Sequence, residues 1–211
     1  FRNNTFSGDP HYGLTVLSPD SLEQQVSLIN NTFIGNSLYE NVNFLQMDSL
    51  LDHVLEGNLF QENFLSSNGS QAPSLIYSQP NLRILNSKFY KNIASQAGLI
   101  SLQLLSSSDS NFIVNGSAFV ENTIISFDER TSYLVSLRSS VGKNIQVTIS
   151  YLEISNNILS QIDGGSSTKC FFISLGNTEG SLTNSIFQNN THQGSSIELI
   201  LTFRSKINIT T

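Results

Sequence analysis

Three charged residues share one spacing, and they are the first candidates for chemistry. Glu62, Lys91 and Glu121 each follow a phenylalanine by two residues, in LFQEN, KFYKN and AFVEN. On successive turns of a parallel-paired coil, Glu62 and Glu121 would lie two strand spacings apart, ~9–10 Å. Carboxyl groups at about that separation suit an inverting glycoside hydrolase, one as general acid and the other as base on a water. Lys91 falls between them, one turn from each. That favours a plainer reading, a Glu–Lys–Glu surface ladder that relieves like-charge repulsion and contributes little stability. Asp128, Glu129 and Arg130 fall in the longest interval between repeats and read as a solvated loop tip. His11, His53 and His192 occupy unrelated offsets, with no HxH or HExxH spacing, so neither a metal site nor a cofactor is expected. The one cysteine, Cys170, lies in the apolar run CFFISL and reads as a buried structural thiol. There is no GxSxG elbow, P-loop or dinucleotide fingerprint, and no residue is assigned a catalytic role.

The phenylalanines that fix these positions belong to an internal repeat. The anchors are Phe6, Phe33, Phe60, Phe89, Phe119, Ile154 and Phe187, spaced by 27, 27, 29, 30, 35 and 33 residues. Three residues after the anchor come Asn36, Asn63, Asn92, Asn122, Asn157 and Asn190, and only the first repeat differs, with Asp9. Seven and five residues before it lie Val26 and Leu28, Leu82 and Ile84, Phe112 and Val114, and Val147 and Ile149. This alternation is that of a strand with one buried face. His53 with Leu55, and Gly180 with Leu182, fit it less well. Further apolar runs (VNFLQM, LISLQLL, CFFISL) lie between anchors, separated by Ser, Asn and Gly clusters. No segment carries a helical stripe with caps.

A unit of two or three short strands cannot bury its apolar face alone, whereas stacked units bury a continuous core. The expectation is an all-β, right-handed parallel β-helix solenoid of about seven coils, each roughly 30 residues long. Residues 1–211 would form a single β-helix segment. The core stack would be the anchors Phe6, Phe33, Phe60, Phe89, Phe119, Ile154 and Phe187. The asparagine column would be a structural ladder, because an amide carries both donor and acceptor and tolerates tight turns.

The strings INNTFIGN, LNSKFYKN and TNSIFQNN resemble the right-handed parallel β-helix repeats of pectin-lyase-like proteins and surface autotransporters. The resemblance covers nearly the whole chain and is specific for architecture. It implies two families of function, polysaccharide lyase or hydrolase and surface adhesin. For the first it implies acidic and basic residues on neighbouring coils of one face, which only the Glu62–Lys91–Glu121 column offers. For the second, Tyr39, Tyr77, Tyr90 and Tyr133 are the candidate binding aromatics, although they do not share a column.

Composition narrows the setting. Only 12% of residues are charged, and the net charge is −6. Ten scattered basic residues make no stripe for nucleic acid. No apolar run is long enough for a membrane-spanning helix. Both ends of the chain read as repeat material, which predicts a fragment of a longer repeat protein. Six N-glycosylation sequons begin at Asn3, Asn30, Asn68, Asn115, Asn189 and Asn208. That number is what 24 asparagines among 48 serines and threonines would produce by chance, so position must carry the argument. The expected protein is an extracellular or cell-surface structural glycoprotein, a β-helical rod in a fibril, appendage or coat. Its expected partners are N-linked glycans and neighbouring solenoid segments or copies of itself.

Overall fold

The computed structural model describes residues 5–7, 25–39, 43–47, 51–67, 74–79, 81–104, 110–127, 131–139, 145–162, 169–193, 197–203 and 206–210. Every strand pairing in them is parallel, and the strands form four sheets that the chain visits in rotation. The first sheet stacks Ser27–Ile29, Asp52–Glu56, Asn81–Leu85, Ser110–Asn115, Ile145–Ser150, Thr178–Thr183 and Lys206–Thr210. The anchor sheet stacks Thr5–Ser7, Thr32–Ile34, Leu59–Gln61, Lys88–Tyr90, Ala118–Val120, Glu153–Ser155 and Ile186–Gln188. The third sheet runs from Ser37–Tyr39 to Thr191–Gln193, and the fourth from Leu45–Met47 to Ile197–Phe203. No helix long and apolar enough to cross a membrane occurs among the described residues.

The chain is thus a parallel β-solenoid. From Asp52–Glu56 to Lys169–Gly176, every strand has a neighbour above and below in its own sheet. This stretch makes about four turns of roughly 31 residues. The seven coils expected from the anchors are more than that. Among the described residues, the anchors at Phe6 and Phe187 belong to outer strands, each paired on one side only.

The core follows the repeat. Phe33, Phe60, Phe89, Phe119, Ile154 and Phe187 are in register, and all but Phe187, which is half-buried, are fully buried. Their rings stack at centroid separations of 4.7, 4.8 and 4.5 Å from Phe33 to Phe119, within 6° of parallel. The strand spacing of ~4.8 Å imposes that separation, so identical side chains one turn apart must share a rotamer. Leu38, Leu65, Ala94, Ile124 and Leu159 line the core from the third sheet. The first sheet adds Val26, Leu82, Phe112 and Val147, with His53 in the same column.

The anchor strand has only three residues, because a corner bounds it on each side. Three residues before the anchor, Asn30, Gly57, Asn86, Gly116, Tyr151 and Asn184 have φ between 48° and 63°. Two residues after it, Gly35, Glu62, Lys91, Glu121, Asn156 and Asn189 have φ between 52° and 63°. A left-handed residue turns the chain sharply and costs a non-glycine residue ~1–2 kcal/mol, which only tertiary structure can offset.

Candidate functional site

The corner after the anchor holds the acidic column. Glu62, Lys91 and Glu121 are its left-handed residues, and their backbone N–H groups donate to Tyr90, Val120 and Ser155 carbonyls of the next turn at 3.0–3.1 Å. The corner geometry thus aims all three side chains into solvent. Lys91 Nζ lies 3.8 Å from Glu121 Oε2, with the two side chains 46% and 43% exposed. Gln61 donates its amide to Glu62 at 3.1 Å. Lys88 and Lys91 approach the Tyr90 ring at 4.7 and 5.0 Å from its centroid. The hydrogen bond and electrostatic influence of Tyr90, then the charges of Glu121 and Glu62, hold the Lys91 ammonium above the usual lysine range. The column is a charge-compensated row of exposed turn residues.

Next to it runs the asparagine ladder, buried from Asn36 to Asn157. Each interior amide of the ladder, from Asn63 to Asn157, does four things, as Asn92 illustrates. Its Oδ1 accepts from Asn63 N (3.1 Å) and Asn63 Nδ2 (2.9 Å). Its Nδ2 donates to Asn122 Oδ1 (3.0 Å) and to the Phe60 carbonyl (2.9 Å). The same pattern joins Asn36 to Asn63, Asn122 to Asn157 and Asn157 to Asn190. The corner N–H that the left-handed bend frees is therefore satisfied by the next turn's side chain.

A second ladder lies at the corner before the anchor, and sequence reasoning missed it. Asn31 N donates to Asn58 Oδ1 (2.9 Å), Asn58 N to Ser87 Oγ (3.2 Å) and Ser87 N to Ser117 Oγ (3.1 Å). Leu152 interrupts the row, and its own N–H donates to Ser185 Oγ at 3.3 Å. The signal was present two residues before the anchor, which reads Asn, Asn, Ser, Ser, Leu, Ser from Asn31 onward.

The sequons sort by position. Asn30 and Asn189 are exposed left-handed corner residues on opposite flanks of the anchor sheet. Asn115 is exposed at the end of a first-sheet strand, and Asn208 lies on Lys206–Thr210 in register with Ser181. Asn3 and Asn68 lie outside the described residues, as do His11 and Asp128, Glu129 and Arg130. Phe6 and Cys170 are placed on strands, in register with Phe33 and with Ser132.

The remaining candidates are not brought together. His53 and His192 lie on the first and third sheets, several turns apart. Tyr39 is on the third sheet and Tyr90 on the anchor sheet, whereas Tyr77 and the buried Tyr133 are on the fourth. Among the described residues no three His, Cys, Asp or Glu side chains gather as a metal site would require. In comparison with known proteins, no family model, no curated protein and no solved structure matches the chain.

Proposed function

We propose that this solenoid is part of an extracellular structural or surface glycoprotein, a rod whose corners carry N-linked glycans. The observation that supports it is the placement of the sequon asparagines. Asn30, Asn115 and Asn189 are all exposed, while the ladder residues that follow them, Asn31, Ser117 and Asn190, are buried or half-buried and bonded. The glycan-bearing and the load-carrying amides are thereby different residues, so sugar can be added without breaking a ladder. Stacking with a further segment or a second copy fits the one-sided edge strands. Ile186–Gln188 and Thr191–Gln193 are each paired on one face only among the described residues, and unpaired edges recruit strands.

The test is secretion from a eukaryotic cell followed by glycopeptide mapping of Asn30, Asn115 and Asn189. Occupancy at these sites is expected, with one glycan lost for each Asn→Gln substitution. Secreted protein with all three asparagines unmodified would refute the reading.

A further inference from the structure

The first, anchor and fourth sheets carry charge on their strands, as Asp52 and Arg83, Lys88 and Glu153, and Arg138 illustrate. The third sheet does not: among the described residues its strands hold no Asp, Glu, Lys or Arg. Its outward column nearest the anchor reads Ser37, Phe64, Ile93, Thr123, Ile158 and Thr191. Ile93 and Ile158 are 39% and 40% exposed. Tyr39, 47% exposed, sets its ring 5.8 Å from that of half-buried Phe64. Single exposed apolar side chains are ordinary, but a contiguous apolar face without charge marks a contact surface.

A charged rim says what covers it. Glu62, Lys91 and Glu121 precede Phe64, Ile93 and Thr123 by two residues, so they line one edge of this face over three successive turns. Turns are ~4.8 Å apart, and the rim alternates negative, positive, negative at that pitch. An occupant must present the opposite order at the same pitch. A second copy of this chain does so when its rod runs antiparallel and the two-fold axis, lying along the strands, falls between turns. With the axis midway between the turns of Phe64 and Ile93, Glu62 faces the other copy's Lys91, and Lys91 its Glu62. Phe64 then faces the other copy's Ile93, and Tyr39 its Ile125. Glu121 keeps its own Lys91 at 3.8 Å and faces Gly35, where no atom lies within 4 Å of the position a Cβ would take. An axis on the Lys91 turn would set lysine against lysine and Glu62 against Glu121. Parallel rods would carry the two rims to opposite edges. An axis one turn nearer Glu121 would leave Glu62 facing Asn156 instead of a cation. Facing sheets stand ~10 Å apart, a gap that a lysine and a glutamate span together.

We propose that the third-sheet face is a self-association surface on which two copies of this chain pair antiparallel in this register. The pairing is lateral, separate from any end-to-end joining of edge strands, and it needs no glycan. With its rim, the face spans about 300–450 Å² per copy over the four overlapping turns, so the dimer is a weak one. The apolar column supplies the attraction, and the exposed charges select the register.

The test is sedimentation equilibrium of the whole chain at roughly 10–500 µM, the range a small interface requires. The protein is made in bacteria, without N-glycans, so the outcome is independent of the glycoprotein reading. A monomer–dimer equilibrium is expected. By symmetry each charge reversal affects two pairs, so Lys91→Glu and Glu62→Lys should each weaken the dimer by about tenfold. Mixed in equal amounts, these two variants should pair with each other and regain the parent's affinity to within about threefold, because every facing pair is then opposite in sign. Ile93→Asp should leave a monomer, whereas Glu121→Gln should change little. Circular dichroism melts check that each variant is folded, and if Ile93→Asp is not, Ile93→Ser replaces it. A chain that stays monomeric throughout has another occupant for this face and overturns the proposal. Association that survives the Ile93 substitution, or a charge-reversed mixture no tighter than its components, overturns it equally.

Discussion

Removing one amide from the ladder should cost more than removing a hydrogen bond usually does. In Asn92→Ala, the Asn63 backbone N–H loses its acceptor and the Phe60 carbonyl loses the amide donor. Asn63 Nδ2 keeps its bond to the Phe33 carbonyl at 3.0 Å, and Asn122 Oδ1 keeps the N–H of residue 92 at 3.0 Å. One buried donor is therefore stranded, at ~1–3 kcal/mol, and one carbonyl is left with its strand ladder alone, for a loss of about 2–4 kcal/mol. The second ladder predicts the remedy. There Ser87 Oγ takes the Asn58 N–H at 3.2 Å and donates to the Leu85 carbonyl two residues back at 3.0 Å. Asn92→Ser can copy that arrangement and should lose only about 1–2 kcal/mol. Asn92→Asp keeps the acceptors but points oxygen at Asn122 Oδ1 and the Phe60 carbonyl, and should be no better than alanine at pH 7. Asn190→Ala, in a half-buried outer position, should be milder. Urea unfolding followed by far-UV circular dichroism ranks the variants, provided the slopes agree. Asn92→Ala within about 1 kcal/mol of the parent, or Asn92→Ser no better than Asn92→Ala, would refute the accounting.

Three further outcomes follow from the same geometry. Tyr151 is 63% exposed with φ of 51°, in a column that elsewhere uses asparagine or glycine, so Tyr151→Asn should gain about 0.5–1 kcal/mol in urea. Ser78 is buried in the core column between Met47 and Leu102 with its Oγ unpartnered. Ser78→Ala should therefore raise stability by about 1 kcal/mol, read as a higher melting midpoint. His192 points at the core from the register of Leu159, and burial without partners lowers its pKa from the ordinary 6.5. Its neutral form is favoured in the fold, so it adds stability above that range and loses it as pH falls. His192→Leu should flatten part of the acid limb of the stability–pH curve, read by urea unfolding at pH 5 and pH 8.

The fold was legible because its two strongest columns are nearly pure in residue type. Phenylalanine stacks on phenylalanine and asparagine bonds asparagine, so register is written as identity at a fixed offset. The second ladder escaped because Asn58, Ser87 and Ser117 perform one task, accepting an N–H, with two functional groups. The left-handed corners escaped for a deeper reason. Gly35, Glu62, Lys91, Glu121 and Asn156 have a backbone angle in common and no chemistry, and sequence records chemistry. That is why Glu62 and Glu121 read as a carboxylate pair when their shared position is a bend. His53 read as a poor fit to an apolar column. It fits because one ring nitrogen replaces a carbonyl as acceptor for Val26, a substitution visible only with the partner strand in place. The coil number was overcounted because anchors mark strands, and a closed turn also needs neighbours in three other sheets.

The corner geometry also accounts for the sequons at Asn30 and Asn189 without any appeal to their number. A ladder asparagine cannot begin one, because the residue two places on faces the core: Phe33 and Phe60 after Asn31 and Asn58, and Leu38, Leu65, Ala94, Ile124 and Leu159 after the other row. An exposed corner asparagine can, because the residue two places on faces outward, as Thr32 does after Asn30 and Thr191 after Asn189. In Asn30-Asn31-Thr32 the three residues meet three separate demands: a left-handed bend, a buried amide that donates to Asn58 of the next turn, and an outward strand residue. Structure alone thus generates an acceptor sequence wherever threonine fills the outward place, and always with the first amide in solvent. Glycosylation needs no dedicated loop in such a fold. The property that lets the coil turn is the one that presents the amide.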